Sequence, residues 1–395
     1  MDLTYSPEEQ QFRREFRDWL DANLPAEWRR KDHWARLTED ESFRRRRAWE
    51  AAKAAAGWSG IDWPKEYGGY GGTAVQKAIH DEEIGLARAP ASVNRLGSVF
   101  LAPTVMAIGT EEQKREMIPP ILSCDVIWCQ GFSEPDAGSD LAGVRTRASD
   151  EGDHWLLNGQ KVWTSNAAYG DKMFCLARTS PDERRQKGLT MLLFDMDLPG
   201  VEVRPITEMS GAADFGEVFF TDVRVPKDGV LGEVGQGWSV AMLLLSFERG
   251  SSAVEKYHEF RPEFAELLEL ARSPLRSTGA ARHTPVLRQR IAQVYIELEL
   301  LRLHSLHVLT KVEQGADLGA ESSLTKLQWS ETHQDMCEVA MDLLGDESQV
   351  GSTETRLRMS PLQQTYIRSR SETIYGGSSQ VQRNIVAERI LGLPR

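Results

Sequence analysis

The spacing of apolar residues changes twice along this chain, and these two changes constrain its fold more than any other feature. Up to residue 124 apolar side chains recur at helical spacing, as Phe12 and Phe16 do, which indicates amphipathic helices. Between 125 and 232 the chain is instead rich in β-branched and aromatic residues. From 233 onward the helical spacing returns. The sequence therefore predicts an α+β chain with domains at 1–124, 125–232 and 233–395.

Local signals predict particular elements. The stretch SPEE at 6–9 combines a serine cap, a proline at the first helical position and a glutamate three residues after the cap, which predicts a helix start. Asn158-Gly159 lies between two apolar arms and is a strong hairpin signal, so we expect a two-residue turn there in an antiparallel β domain. The runs 286–312 and 361–393 predict long helices.

Composition excludes several classes of partner. The formal net charge of −12 argues against nucleic acid or an anionic membrane as the main partner. The longest strongly apolar run, 240–245, is far too short to span a bilayer. The first residues carry neither a basic n-region nor an apolar h-region, so we expect no signal peptide. Four cysteines without a CxxC pair or histidines at zinc spacing predict reduced thiols in a cytoplasmic protein and no metal site.

Three short stretches carry the residues that are suited to chemistry. They are QGFSEPDAGSDLAG at 130–143, KVWTSN at 161–166 and IYGGSSQVQR at 374–383. The last of them interrupts a helical pattern with Gly376 and Gly377, and each glycine weakens a helix by about 1 kcal/mol relative to alanine. Taken one at a time, the stretches also fit a capped turn, a core aromatic residue and a break between bundle helices.

Together the three stretches resemble the signature motifs of the acyl-CoA dehydrogenase family. The segments FSEPDAGSD at 132–140 and WTSN at 163–166 match the first two motifs, and the tail at 374–383 matches the third, in the same order and spacing. The resemblance covers nearly the whole chain. It implies a helical N-terminal domain, a middle antiparallel β domain and a C-terminal four-helix bundle.

The resemblance further implies FAD as cofactor and the removal of a proton from Cα and a hydride from Cβ of an acyl-CoA thioester. Such chemistry needs a carboxylate base, hydrogen bonds to the thioester oxygen and a site that excludes water. The backbone N–H of Gly376 is expected to donate to that oxygen. The other implied contacts are with the cofactor, for Phe132, Ser133, Trp163, Ser165, Ser378 and Gln380, and with the substrate, for Ser139, Arg249, Tyr375 and Gly377.

The position of the base departs from the commonest family pattern. Many members place the catalytic glutamate directly after the tail tyrosine, where this chain has Gly376. A subset of the family carries the base at the start of the C-terminal domain, before an arginine, and Glu248-Arg249 stands at that place. The preceding residues, 243–247, are mostly apolar, and an apolar site raises the pKa of a carboxyl group. We therefore predict that Glu248 is the base.

The segments that usually clamp the ADP end of the cofactor are also missing. Family homodimers use Arg-x-x-Phe-Gly and Gln-x-x-Gly-Gly segments of the neighbouring subunit, and the corresponding positions here, 271–285 and 343–347, contain neither. Bacterial heteromeric members divide these tasks between two chains. The resemblance therefore favours a heterotetramer with a paralogous chain over a homotetramer. It also implies an electron-transferring flavoprotein or a similar protein as electron acceptor.

Two other functions fit the same fold. One is a non-catalytic partner subunit, against which the presence of Glu248, Ser133, Trp163 and Ser165 argues. The other is a flavin oxidase or monooxygenase, which would consume oxygen instead of reducing a dye. The sequence does not identify the acyl group, because bases at the position of Glu248 occur with long, branched and ring-bearing substrates.

Overall fold

The computed structural model describes residues 5–180, 185–273, 284–316 and 319–394, except the side chains of 248–254. The chain forms two compact units. The helical unit comprises Met1–Ser42, Gly72–Ala91 and Arg249–Arg395, and the β unit comprises Phe43–Gly71 and Ser92–Glu248. Each unit has a hydrophobic core of its own.

Helices precede and follow the strands along the chain. The α-helices are α1 (Pro7–Asn23), α2 (Lys31–Arg36), α3 (Glu39–Ala55), α4 (Ala74–Ala87), α5 (Ala102–Ile108), α6 (Glu111–Leu122), α7 (Gly237–Arg272), α8 (Pro285–Glu313), α9 (Ser322–Leu344), α10 (Pro361–Glu372) and α11 (Ser379–Ile385). The strands are β1 (Trp128–Gly131), β2 (Arg147–Asp150), β3 (His154–Ser165), β4 (Lys172–Arg178), β5 (Leu189–Asp195), β6 (Val201–Ile206), β7 (Phe215–Pro226) and β8 (Val230–Leu231). This order confirms the predicted α+β class. Within the described ranges, the helices lack the uninterrupted apolar length that a bilayer crossing requires.

Capping interactions fix where several helices begin. The Ser6 hydroxyl accepts from the Glu9 N–H at 3.2 Å, and the Glu9 carboxylate accepts from the Ser6 N–H at 2.7 Å. These two bonds satisfy donors that would otherwise be left unpaired at the helix start. Ser360 and Gln363 form the same reciprocal pair at the start of α10. The helix start predicted at residues 6–9 is therefore confirmed.

The long helices of the C-terminal region share one core. Buried side chains of α7, α8 and α9 meet in it, among them Phe260, Leu298 and Trp329, and Leu362 of α10 packs against them. Burial of a large apolar side chain contributes about 1.5–3 kcal/mol. Packing of this kind, more than helix propensity, stabilises helices in a folded protein. The arrangement agrees with the four-helix bundle that the sequence led us to expect.

The strands form one sheet, in the order β6-β7-β3-β2-β4-β5-β8, with β1 also paired to β4. Most pairs are antiparallel, but β1 and β2 both run parallel to β4. β1 pairs with Lys172–Cys175, and Arg147 of β2 pairs with Arg178. The predicted antiparallel β domain is therefore confirmed by most of the strand pairs, and the two parallel pairings with β4 are an addition that the sequence did not predict. These two pairings are parallel because β1 and β2 both run along β4 in the same direction, and residues 132–146 form the loop that connects them.

The hairpin predicted at Asn158-Gly159 is absent, because β3 continues through both residues. A register shift against β7 lies at this point. The Asn158 amide bonds with Asp222 of β7, donating to its carboxylate at 3.0 Å and accepting from its N–H at 2.9 Å. Gly159 has a φ of 146°, and a Cβ there would lie 2.6 Å from the Thr146 hydroxyl. Gly159 therefore allows a bulge in β3 and a close approach of the backbone to Thr146, and it does not form a turn.

We predict that Gly159→Ala lowers the free energy of unfolding by about 1–3 kcal/mol, because the added methyl group overpacks the contact with Thr146. Gly152→Ala is the matched control for backbone strain alone, since Gly152 has a φ of 90° and open space around it. Gly138→Ala controls for the substitution itself, since it has neither feature. Urea unfolding followed by circular dichroism measures all three. Equal losses for Gly159→Ala and Gly152→Ala would contradict the role of the close approach.

Candidate active site

A buried ion pair fastens the loop between β1 and β2. Lys161 of β3 is fully buried, and its ammonium donates to the Glu134 carboxylate at 2.8 Å and to the carbonyls of Phe132 at 3.0 Å and Leu176 at 2.8 Å. An ammonium has three N–H groups, so each of them has a partner. The loop is thereby bound to both β3 and β4.

Glu134 is satisfied from the other side of the loop. Its carboxylate accepts the N–H of Arg145 at 2.6 Å and the N–H of Thr146 at 2.9 Å. Burial opposes its ionisation, but the charge of Lys161 and these hydrogen bonds outweigh burial, so the pKa of the Glu134 carboxyl lies below its usual value. Neither side chain was predicted from the sequence to have this role, although Glu134 lies within the first motif. The available signal was a lysine at an inward position of an otherwise apolar strand pattern.

The fastened loop places Ser133 against β3. Its carbonyl accepts the N–H of Val162 at 2.9 Å, so Ser133 lies beside the residue that precedes Trp163. Phe132 is buried, with its ring edge-on to Phe174 at 6.0 Å between centroids. Two of the three predicted motifs therefore meet in the β unit.

Trp163 has an unusual backbone and an exposed side chain. Its φ is 58° and the side chain is 58% exposed, although its ring meets Phe215 edge-on at 6.0 Å. A positive φ is uncommon for a bulky residue and costs on the order of 1–3 kcal/mol. The register of β3 against β7 shifts between Lys161 and Thr164, which accounts for the local conformation. Strain that presents a large flat ring to the surroundings is typical of a ligand site.

The two residues after Trp163 supply hydroxyl groups. Thr164 is fully buried, and its hydroxyl has no partner among the described residues. Ser165 is half-buried and ends β3 opposite Phe215. The N–H of Asn166 donates to the carbonyl of Asp214 at 3.0 Å, which holds the end of this strand in place.

An open cleft of about 650 Å³ lies in the same unit and is lined by Thr179, Gln186, Lys187, Trp238 and Ser239, among others. Arg178 connects the cleft to the loop of the first motif. Its guanidinium donates to the carbonyl of Lys187, which lines the cleft, and to the carbonyl of Ala142, which lies in the loop. Arg185 also pairs with Asp140 at 2.9 Å. Ser139, the predicted substrate contact, is exposed beside Asp140.

The third motif lies in the helical unit, between α10 and α11. Gly376 and Gly377 have φ values of 63° and 90°, a conformation that favours glycine. Gln382 donates to the carbonyls of both glycines, at 3.0 and 3.4 Å. The N–H of Gly376 has no acceptor among the described residues. It is therefore available to a ligand.

The remaining predicted contacts of the tail differ in exposure. Tyr375 is 44% exposed, with its ring 6.3 Å from that of Trp329. Ser378 caps α11 and accepts the N–H of Val381 at 3.3 Å, which leaves its own O–H free to donate. Gln380 is exposed in the first turn of α11.

Glu248 and Arg249 lie in α7, but their side chains are outside the described residues. One turn earlier Leu244 is fully buried. Much of the segment predicted to lack the ADP clamp, 271–285, is likewise outside the described residues. The roles of these residues stay predictions, as do those of the other predicted site residues.

Comparison with known proteins gives a consistent result along the whole chain. Sequence models of the acyl-CoA dehydrogenase N-terminal, middle and C-terminal domains match residues 6–125, 129–223 and 235–391. A relative described as acyl-CoA dehydrogenase IpdE1 of Mycobacterium tuberculosis is 41% identical over 387 residues, which cover 98% of each chain.

Solved structures give the same family. A chain of the structure titled Tcur3481-Tcur3483 steroid ACAD is 30% identical, with a TM-score of 0.85 and full coverage of both chains. A chain of the ChsE4-ChsE5 complex from Mycobacterium tuberculosis is also 30% identical, with a TM-score of 0.83 and full coverage of both. Both titles name a pair of proteins.

We predict that Lys161→Met lowers the free energy of unfolding by about 3–5 kcal/mol, because it leaves the carboxylate of Glu134 buried without its partner. The double variant with Glu134→Gln should recover part of that loss, because no unpaired charge remains. Lys172→Met is the matched control, since Lys172 pairs with Asp195 at a half-exposed site of the same sheet, where a pair contributes about 0–1 kcal/mol.

Urea unfolding of the unaltered protein, Lys161→Met, Glu134→Gln and the double variant measures the coupling between the two residues, with Lys172→Met as the control. Because the folded pKa of Glu134 is lowered, the pair should stabilise the fold above the carboxyl's ordinary pKa of 4.5 and lose this effect as the pH falls through the folded value. Additive losses in the double variant would contradict the coupling.

Proposed function

Because this chain belongs to the acyl-CoA dehydrogenase family, we propose that it removes a proton from Cα and a hydride from Cβ of an acyl-CoA thioester and leaves a trans-2-enoyl-CoA. The observation that carries the proposal is the end of β3, where strained, exposed Trp163 stands between the fastened Ser133 loop and the Ser165 hydroxyl. A flat exposed ring beside hydroxyl groups suits a planar, polar-edged cofactor.

FAD is the cofactor that we propose, since the family consists of flavoproteins. The residues present fit it: Thr164 offers a buried hydroxyl without a partner among the described residues, and Trp163 offers an exposed flat ring. When bound, the flavin supplies the acceptor for the hydride that leaves Cβ. The residues proposed to hold it are Phe132, Ser133, Trp163, Ser165, Ser378 and Gln380.

Glu248 is the proposed base, and it takes the α proton. Leu244, one turn earlier in α7, is buried, which supports an apolar environment that raises the pKa of a carboxyl group. The negative charge that gathers on the thioester oxygen is met by the N–H of Gly376, whose glycine conformation leaves this donor free. Ser139, Arg249, Tyr375 and Gly377 are the proposed substrate contacts.

The proposed acyl group is bulky and ring-bearing. The support is the 30% identity, over the full chain, to a structure whose title describes a steroid ACAD. The cleft lined by Gln186 and Lys187 has the cation and amide that the phosphates of CoA need. A panel of octanoyl-CoA, isovaleryl-CoA, cyclohexanecarboxyl-CoA and a steroid-side-chain CoA thioester, with a dye as electron acceptor, tests the class. Preference for octanoyl-CoA would contradict it.

We also propose a heterotetramer with a paralogous chain and an electron-transferring flavoprotein, or a similar protein, as acceptor. Two similar structures are titled as pairs of proteins. Helix α8 exposes an apolar stripe, Ile296, Leu300 and Leu303, each about half exposed, which is typical of an interaction surface. Four buried free cysteines support the expected cytoplasmic location.

We predict that Glu248→Gln keeps the fold and substrate binding but lowers dehydrogenation by about 10²–10⁴-fold, the usual contribution of a positioned base. The matched control is Glu269→Gln, which changes an exposed carboxylate on the same helix. Stopped-flow bleaching of the flavin measures the proton-and-hydride step, and spectral titration with the acyl-CoA measures binding. Near-normal turnover of Glu248→Gln would overturn the assignment of the base.

We predict that the chain expressed alone contains little flavin, because it lacks the arginine-containing clamp for the cofactor's pyrophosphate, and unpaired phosphate charge near a protein surface weakens binding. Co-expression with a paralogue that carries Arg-x-x-Phe-Gly should give a yellow α2β2 tetramer with one FAD per αβ pair. Sedimentation together with the flavin-to-protein absorbance ratio measures this. A fully flavinated homotetramer of this chain would contradict it.

A further inference from the structure

The core of the helical unit contains a charged residue that the proposed reaction does not use. His333 is 4% exposed in α9, and its ring stacks on Phe260 of α7 with 4.2 Å between centroids. Its Nδ1 lies 2.7 Å from the Glu372 carboxylate and its Nε2 lies 2.9 Å from the Glu263 carboxylate. Three helices, α7, α9 and α10, therefore meet at one imidazole.

The geometry decides the charge of this ring. Ionised carboxylates only accept hydrogen bonds, and a neutral imidazole has a single N–H. Two ionised carboxylate partners therefore require an N–H on both ring nitrogens, which is the imidazolium. Burial opposes this charge, but the hydrogen bonds to Cys337, Glu263 and Glu372 outweigh burial and raise the pKa of His333 well above its ordinary value of 6.5.

The charges around His333 alternate in sign from one helix to the next. Lys31 of α2 donates to Glu263 at 2.5 Å. Burial opposes ionisation of Glu263, but His333 and Lys31 outweigh it and lower the pKa of Glu263 to about 2. The chain of Lys31, Glu263, His333 and Glu372 thus carries two positive and two negative charges. Neutralising the histidine would leave a buried carboxylate without a partner, which is costly.

This chain of charges ends where the tail begins. Glu372 is the last residue of α10, four residues before Gly376. Its carbonyl accepts from the ammonium of Lys326 on α9. Gln334, also on α9, donates to the Ser369 carbonyl at 2.8 Å and to the Thr373 hydroxyl at 3.0 Å. Side chains of α9 therefore hold the end of α10 at several points, with the His333–Glu372 contact as the ionic one.

We propose that His333 is a positioning residue for the reaction: held between Glu263 and Glu372, it fixes the end of α10 and thereby the direction of the Gly376 N–H. The proposal rests on the proposed function, in which that N–H meets the charge on the thioester oxygen. A donor aimed at developing charge acts more strongly in the transition state than on the bound substrate. Loss of His333 should therefore affect kcat more than KM.

The test compares His333→Gln with His304→Gln in the flavin-loaded protein. His304 is a second histidine of the helical unit, bonded to Thr325 at 2.8 Å, and it does not bond to α10. With the best substrate of the acyl-CoA panel, His333→Gln should lower kcat by about 10- to 100-fold, because a donor displaced by about 1 Å loses that much. KM should change little, and His304→Gln should resemble the unaltered protein.

A second readout needs neither substrate nor flavin. Hydrogen–deuterium exchange of residues 369–380 should speed up at least tenfold in His333→Gln and stay unchanged in His304→Gln. Nitrogen-15 spectra of labelled histidine should show both His333 nitrogens protonated at pH 7. The raised pKa means that this charge is present below pH 6.5 and is lost only as the pH rises through the folded value. The other groups that face the ring are Glu259 of α7 and Cys337 of α9.

The double variant His333→Gln/Glu372→Gln removes the unpaired carboxylate and allows two amides to join α9 and α10. It should recover part of the lost kcat and part of the exchange protection. Unchanged exchange in His333→Gln overturns the proposal even if no panel substrate is turned over. A lower melting temperature with normal kcat per flavin also overturns it, because the role is then structural. Activity that survives in Glu248→Gln would instead reject the proposed base and leave the His333 result to stand by itself.

Discussion

The ion pair between Glu134 and Lys161 is the interaction on which the geometry of the β unit depends. Burial of both charges is unfavourable, so the pair is a poor source of stability. It is a strong source of position, because Lys161 joins Glu134 to the carbonyls of Phe132 and Leu176, and Glu134 bonds in turn to two backbone N–H groups. In this way the loop between β1 and β2, which is not itself a strand of the sheet, is held in a defined place beside β3.

In the helical unit, buried charges likewise hold a backbone segment in place, here the glycine-containing tail after α10. This tail contains two adjacent glycines with positive φ, and glycine has more conformational freedom to lose than any other residue. Buried charges on His333 and Glu372 hold the helix from which this tail departs. In both units a costly buried charge lies next to a segment that carries proposed site residues, where positional accuracy matters most.

The sequence predicted the order of the three structural regions, the N-terminal capping box and the family, because each depends on local spacing or on short motifs. It did not predict that Asn158-Gly159 lies inside a strand, since the partner that decides this, Thr146, is brought close only by the sheet. The role of Lys161 was missed for a similar reason. A lysine is read as exposed unless its carboxylate partner is known, and Glu134 is 27 residues away.

In the proposed site, Gly376 takes the place that a glutamate is expected to hold in many family members, and this affects the rest of the tail. A glutamate at that position would restrict φ and keep one side chain among its neighbours, whereas glycine keeps only the N–H. If that N–H is the donor to the thioester oxygen, as we propose, its accuracy must come from contacts outside the residue itself. Gln382 supplies one of them by bonding the Gly376 carbonyl, and α9 supplies others at the end of α10 through His333, Lys326 and Gln334. If Glu248 is the base, as we propose, the tail needs to supply only an aimed donor, and a helix end held by several bonds from α9 combined with a glycine is sufficient for that proposed task.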